Sequence, residues 1–505
     1  MKRLVVRIGT SLVSVAAFVA VANLGLAMEP TPTEPTQGEP DVTTNAVEPV
    51  ATRIIIKYVE NEGARVASEA AAMNAAERLS AIAGANIRHI RVMSGNAQIV
   101  ELTDLPPGLE RAQATERISS IVERLQADPA VEYAEPDDFM QIQQVNDPQF
   151  GQQWHYTMPG TGMNAVGGWS NATGTGVVVA VIDTGYRPHA DFAGNLLLPG
   201  FDFISNATVA NDGGGRDADA RDPGDWIASS DTWCPLSPRD SSWHGTHVAG
   251  TVAAVTNNSL GVAGVARSAK VVPVRVLGKC GGNLSDIADG MRWAAGLPVP
   301  NAPTNTNPAQ VLNLSLGGGG VCGPTYQNAI NDIVAAGSTV VVAAGNSNAN
   351  ASGFRPANCN GVVTVAATNQ VGARSYYSNF GGVVEIAAPG GETHQVNSRG
   401  VLSTLNTGTT TPSTDSYRFY QGTSMAAPHV AGVAALLYQV SPGITPAQVS
   451  TILQDTAQSF PTLSSNQCDT ANCGAGIVDA GAATDGVSPT SSGQAMPWLK
   501  LLLKN

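Results

Sequence analysis

The stretch GVVVAVIDTG, residues 176 to 185, carries an unbroken apolar run from Val177 to Ile182 straight into an aspartate and a turn. An alternating pattern would mark a strand with one wet face. A continuous run instead needs cover on both faces, the condition of a strand in a parallel sheet sandwiched by helices. The same texture recurs in KVVPVRVLG (270–278), QVLNLSLGG (310–318), STVVVAAGN (338–346), GVVTVAAT (361–368) and VVEIAAPG (383–390), with helical stretches between several of them. In such sheets reactive groups collect at the carboxyl ends of strands. That rule singles out Asp183, after the first run, and Asn346, after VVVAAG. A strand-end aspartate is also an ordinary turn residue, so neither position carries an argument alone.

Upstream the texture changes. Residues 53 to 137 read as strand (RIIIKYV), helix (SEAAAMNAAERLSAIA), a strand pair (IRHIRVM, AQIVELT), helix (ATERISSIVERLQA) and strand (VEYAEPD), a ferredoxin-like βαββαβ order. This is expected to be a separate small α+β domain over 51–145, ahead of an α/β domain over 146–485. Before it, MEPTPTEPTQGEPDVTTNAVEPV (28–50) is too poor in large apolar side chains to offset the entropy of ordering and reads as a linker. The first 27 residues, basic at MKR, then mainly apolar, then small at Gly25 and Ala27, read as a secretory signal. Arg7 and several polar residues interrupt the apolar run and argue against a membrane anchor. Residues 486–505 form a tail ending in the apolar and basic PWLKLLLKN, which reads as a trimmed tail, a weak surface anchor or a segment without a role.

The 505 residues are 43% hydrophobic, enough for a large core, and their net charge of -13 argues against a nucleic-acid partner. A monomer that diffuses freely outside the cell is the expectation. The six cysteines, an even number in a chain with a secretory signal, include no CxxC or zinc spacing, so structural disulfides are expected. Counting alone leaves about fifteen pairings open.

The sequence SSWHGTHVAGTVAA (241–254) places His244 at the start of an apolar helix and His247 one turn on. Two histidines three apart can share a helix face as metal ligands, but no glutamate lies between them and no third histidine follows. An imidazole at a helix start is held neutral by the positive end of the dipole, which suits a general base. In YQGTSMAAPHVAGVAALLY (420–438) Ser424 heads a run of small apolar residues. A serine hydroxyl attacks only when a base takes its proton and a third group orients that base. Ser424, His244 and Asp183 are the types required. His429, further along the same run, reads as a packing residue, and Pro428 as an early helical residue whose missing N–H costs nothing.

Taken together, AVIDTGYRPHAD, HGTHVAGTVAA, LNLSLGG, AAGNSN and GTSMAAPHVAG, in this order, resemble the subtilisin family of serine proteases over residues 146 to 480. The resemblance implies Asp183 as orienter, His244 as general base and then acid, Ser424 as nucleophile, and Asn346 with the Ser424 backbone N–H as oxyanion donors, roles known for subtilisin itself. It implies a peptide substrate laid as a strand between Gly281, Gly282 and Asn283 on one side and Ser315, Leu316 and Gly317 on the other, with Ala344 and Gly345 as further substrate-binding residues. SGFRPAN (352–358) would floor the specificity pocket, where Phe354 and Arg355 depart from the small residue expected. The small domain resembles the subtilisin propeptide, an intramolecular inhibitor and folding aid, with DFMQIQQVNDP (138–148) lying in the cleft until cut.

Residues 202 to 225 hold six aspartates among glycines. A solvated acidic loop is the plain reading; resemblance to calcium loops of secreted relatives favours calcium, with Asp212, Asp217, Asp219 and Asp222 as ligands. Disulfides are expected between sequence neighbours: Cys234 with Cys280, Cys322 with Cys359, and Cys468 with Cys473. A secreted endopeptidase acting on proteins or peptides is the leading expectation. An idle scaffold used for binding or adhesion is the alternative, disfavoured by the complete residue set. An α/β-hydrolase esterase is disfavoured because no GxSxG surrounds Ser424 and the chain order is wrong.

Overall fold

The computed structural model describes residues 52–59, 69–93, 95, 97–104, 111–137, 145–463 and 467–487. The signal, the linker, residues 138–144 and most of the tail lie outside these. The chain divides between residues 142 and 143 into two compact units.

In the first unit, β1 (Arg53–Tyr58), α1 (Glu69–Ala83), β2 (Ile87–Met93), β3 (Ala97–Leu102), α2 (Arg111–Gln126) and β4 (Val131–Pro136) follow one another in the order βαββαβ. The strands form one sheet, β2-β3-β1-β4, with β1 antiparallel to both of its neighbours and β2 antiparallel to β3. Ile54, Ile56 and Tyr58 alternate inward from β1 and meet Leu79 of α1 and Ile121 and Leu125 of α2 in a single core.

The second unit is built on seven parallel strands in the order β13-β12-β10-β8-β5-β7-β6. Here β5 is Val178–Asp183, β6 Phe201–Asp202, β7 Lys270–Arg275, β8 Val311–Leu314, β10 Thr339–Ala343, β12 Val362–Thr368 and β13 Ile386–Pro389. The unbroken apolar run has the consequence read from it. Val179 and Val181 of β5 enter one core, with α3 (His244–Ala253) and the later α6 (Thr423–Val440). Ala180 and Ile182 enter another on the opposite face, with α4 (Leu284–Ala294) and α5 (Pro324–Ala335). Full burial of each such large apolar side chain contributes about 1.5–3 kcal/mol.

The unit also holds two small ribbons. The strands β9 (Gly318–Gly319) and β11 (Phe354–Arg355) pair antiparallel, as do β14 (Val401–Asn406) and β15 (Asp415–Tyr420). Disulfides join Cys234 to Cys280, Cys322 to Cys359 and Cys468 to Cys473. Among the described residues no helix is long and apolar enough to cross a membrane.

Candidate active site

Asp183 is the last residue of β5 and is fully buried. His244 opens α3, and a side chain at the next residue, Gly245, would begin 2.1 Å from the Gly185 carbonyl oxygen and 3.2 Å from the Asp183 Cβ. Glycine therefore lets the helix start press directly against the strand end. The contact it permits is the one that matters: His244 Nδ1 donates to Asp183 Oδ1 at 2.7 Å, and Thr184 N–H donates to the same oxygen at 2.7 Å. Burial pulls the His244 imidazolium down, and the negative charges of Asp183, Asp225 and Asp222 outweigh it, so its pKa stands above the ordinary histidine value.

Ser424 is the second residue of α6, half-buried at the sheet rim. Its hydroxyl donates to the Ser315 carbonyl at 3.2 Å, so the structure bonds His244 to Asp183 and leaves Ser424 turned to its other neighbour. Pro428 explains part of this anchoring and corrects the sequence reading. It is the sixth residue of the helix, beyond the first turn, and removes the N–H that would have bonded the Ser424 carbonyl. That carbonyl accepts instead from Ser315 Oγ at 2.8 Å, and Asn313 Nδ2 donates to Ser315 Oγ at 2.9 Å. Ser315, expected only as substrate edge, thus also fixes the serine's backbone, a role that no sequence signal announced.

Asn346 follows β10, and its carbonyl accepts from the Thr423 N–H and hydroxyl, both at 2.9 Å. The amide is thereby committed in orientation, with its N–H groups free. A side chain at Gly422 (φ 151°) would begin 3.5 Å from both Asn346 Nδ2 and Ser424 N. The two N–H donors flank one point of open space, as stabilisation of an oxyanion requires.

The cleft has two pockets sharing the wall Ser315 to Gly319 and Arg355. One, about 520 Å³, is lined by His244, Gly281, Gly282 and the apolar Leu277, Leu284, Ile287 and Tyr326. The other, about 380 Å³, holds Ser424, Asn346, Ala344 and Gly345, with Phe354 and Ala357. Asn283, the residue before α4, lines neither.

The other histidines of α3 and α6 do other work. His247 is fully buried, its Nε2 lies 3.1 Å from the Val401 carbonyl and 3.0 Å from that of Arg418, and burial pushes its pKa down to about 3. His429 is buried too, with Nδ1 on the Met425 carbonyl at 2.7 Å and Nε2 against His155 Nδ1 at 2.8 Å.

The four aspartates assigned to calcium do not converge. Asp212 pairs with Arg275 at 2.7 Å, Asp219 is bonded by Arg221, and Asp217 Oδ1 accepts from the Asp219 N–H. Asp222 accepts from the Thr184 hydroxyl and the Gly224 N–H, and burial pushes its carboxyl up to about 7. The buried guanidinium of Arg275 also binds Asp202 and the Ala210 carbonyl, so of the four predicted ligands Asp212 alone is held by it. Among the described residues no three acidic, histidine or cysteine side chains are arranged to hold a metal ion. These residues do not fit a bound calcium as a set. The sequence signal pointing to the pairing with Asp212 is Arg275, a charge that ends the apolar run Val271 to Val274.

The fold and site together define an α/β protein with an aspartate–histidine pair, a serine and an asparagine amide gathered at the carboxyl rim of a parallel sheet. The model of the Subtilase family matches residues 174–481, and the chain belongs to that family. It is 52% identical over 385 residues to an extracellular protease of Xanthomonas campestris pv. campestris, covering 76% of this chain and 63% of that protein. It is 44% identical over 411 residues to an extracellular basic protease of Dichelobacter nodosus, covering 79% of this chain and 66% of that protein. The chain thus spans slightly less than two thirds of the length of both relatives. A solved protease structure from Pseudoalteromonas arctica is 58% identical, with a TM-score of 0.66, covering 68% of this chain and 100% of that one.

Proposed function

We propose that this protein is a secreted serine endopeptidase, made as a self-processing precursor, that hydrolyses peptide bonds in proteins. The observation that carries the reading is the 2.7 Å bond from His244 to a fully buried Asp183, beside a cleft that also holds Ser424 and the Asn346 amide. Asp183 fixes the imidazole tautomer with Nδ1 protonated, leaving Nε2 to take the serine proton. Ser424 Oγ then attacks the carbonyl carbon, and the oxyanion that forms lies between Asn346 Nδ2 and the Ser424 N–H. Collapse of that intermediate breaks the C–N bond, His244 gives its proton to the leaving amine, and an acyl-enzyme remains. Water, deprotonated by the same imidazole, releases the acid.

The substrate backbone lies between Gly281–Gly282 and Ser315–Gly317, with the residue at the cleaved carbonyl in the pocket of Ala344 and Gly345. The N-terminal unit serves as inhibitor and folding aid. The names of the two relatives as extracellular proteases support secretion and protein substrates. Mixing the secreted protein with a fluorophosphonate probe and casein tests the reading. Wild type should digest casein and carry the probe on the peptide containing Ser424, and Ser424→Ala should do neither. A probe found elsewhere, or casein digestion by Ser424→Ala, would sink the assignment.

A further inference from the structure

Arg355 is the last residue of β11, half-buried, and faces Gly318 of β9 across the ribbon, beside the proposed substrate edge. It is common to both pockets of the cleft. A side chain at Gly320 (φ 131°) would begin 3.3 Å from Arg355 Nε and 3.4 Å from Cζ, so glycine there leaves room for the guanidinium over bare backbone. The charge is felt within the larger pocket. Burial raises the pKa of the Tyr326 hydroxyl, and the positive charge of Arg355 partly offsets that.

Among the described residues Arg355 makes no ion pair or side-chain hydrogen bond, in contrast to Arg216, Arg221, Arg239 and Arg275, each paired with an aspartate. The one carboxylate lining the larger pocket, Asp225, is already engaged by Ser242, through N–H and hydroxyl, and by Arg239 at 3.7 Å. The pocket therefore holds one uncompensated, partly desolvated guanidinium above an apolar floor. A guanidinium so placed pairs best with a carboxylate, and loses less to water there than at an exposed site.

We infer that Arg355 selects peptides with a glutamate or aspartate two to four residues before the cleaved bond. The inference rests on the peptidase reading and adds a substrate class to it. The residue at the cleaved carbonyl enters the pocket of Ser424 and Asn346. Residues before it, continuing along Ser315 to Gly317, pass the larger pocket and its arginine.

Internally quenched peptides that differ only in carrying Glu, Gln or Lys at each of those three positions test this. They are compared on the secreted protein, Arg355→Gln, Arg355→Lys and Arg355→Glu. For wild type the ratio of kcat/KM for Glu over Gln should be about tenfold at one position at least, and should shrink in 0.5 M NaCl, as charge pairing near a surface does. Arg355→Lys should keep a preference for Glu, Arg355→Gln should bring the ratio near one, and Arg355→Glu should turn it toward Lys. A wild-type ratio within about twofold of one at all three positions overturns the inference even if every variant misfolds. So does a ratio that Arg355→Gln leaves as it was. If wild type cleaves none of the peptides, the Gln set included, the peptidase reading falls and takes this one with it. Cleavage of the Gln set with a flat charge ratio sinks the charge selection alone.

Discussion

His244 stands at the first position of α3, where the helix dipole disfavours an imidazolium, yet its pKa is raised. Sequence reasoning about the helix start, taken alone, pointed the other way. It left out the charge of Asp183 and missed that Asp222 and Asp225, from one loop, bring negative charge to the same ring, and carboxylates close by outweigh a dipole whose effect is about 0.3–1 kcal/mol. Because the proposed base works unprotonated, a raised pKa moves the loss of activity on acidification to higher pH. The acid limb of kcat/KM is therefore expected to have its midpoint above the ordinary histidine value of 6.5. Asp225→Asn, which removes one of the charges, should move it down. A midpoint below that value in wild type would contradict the electrostatic picture. Asn346 invites a second test at this scale, since its carbonyl is held by Thr423 and only its N–H groups face the open point beside Gly422. Asn346→Ala should lower kcat by about 10²–10³, the size known for the same kind of change in subtilisin, with little change in KM. A fall in kcat/KM that came from KM alone would mean that the amide binds substrate and not the oxyanion.

At the scale of elements, the strands of the large sheet were legible because a run buried on both faces has a signature that neither loops nor one-sided strands share. The helices that present His244 and Ser424 were legible as apolar stretches, but what they pack against was not. Close approach of α3 to β14 depends on Gly250, where a side chain would begin 2.1 Å from Thr404 Oγ1 and 2.6 Å from Ser403 Oγ. Those hydroxyls cannot swing aside freely, since Thr404 donates to the Thr246 carbonyl and Ser403 to that of His247, each at 2.8 Å. Gly250→Ala should therefore destabilise the protein by about 1–3 kcal/mol, the usual cost of overpacking a filled interior. Chemical denaturation in a Ser424→Ala background, where self-digestion is removed, measures it. An unchanged denaturation midpoint would mean that the helix moves off β14 at no cost. The two-residue strands β9 and β11 were invisible to the sequence for a different reason. Pairs so short carry no period, and their register comes from the fold around them, so the arginine they present to the cleft appeared only as a departure from expectation.

At the scale of the whole molecule, a change of texture near residue 145 marks the division into two units, whereas composition leaves the partners of the acidic loop open. Six aspartates among glycines suit a hard cation, but composition cannot say which of them a protein cation takes up, and here Arg275 from β7 pairs with Asp202 and Asp212. The relation of the two units is a matter of chemistry in time. The first unit has its own core around Ile54, Ile56 and Leu125. The second is a parallel sheet whose neighbours come from far apart in sequence, a topology that folds slowly when unaided. If Ser424 makes the cut that separates them, maturation and catalysis share one nucleophile. The secreted Ser424→Ala protein should then keep the mass of both units indefinitely, whereas wild type sheds the first. A trace of active wild type added to Ser424→Ala should release the first unit by cutting between molecules and leave the second intact, showing that the junction is accessible and the second unit folded. Intact-mass measurement over time decides the matter: Ser424→Ala that matures alone at the wild-type rate would show that another protease makes the cut, and self-processing would have to be abandoned.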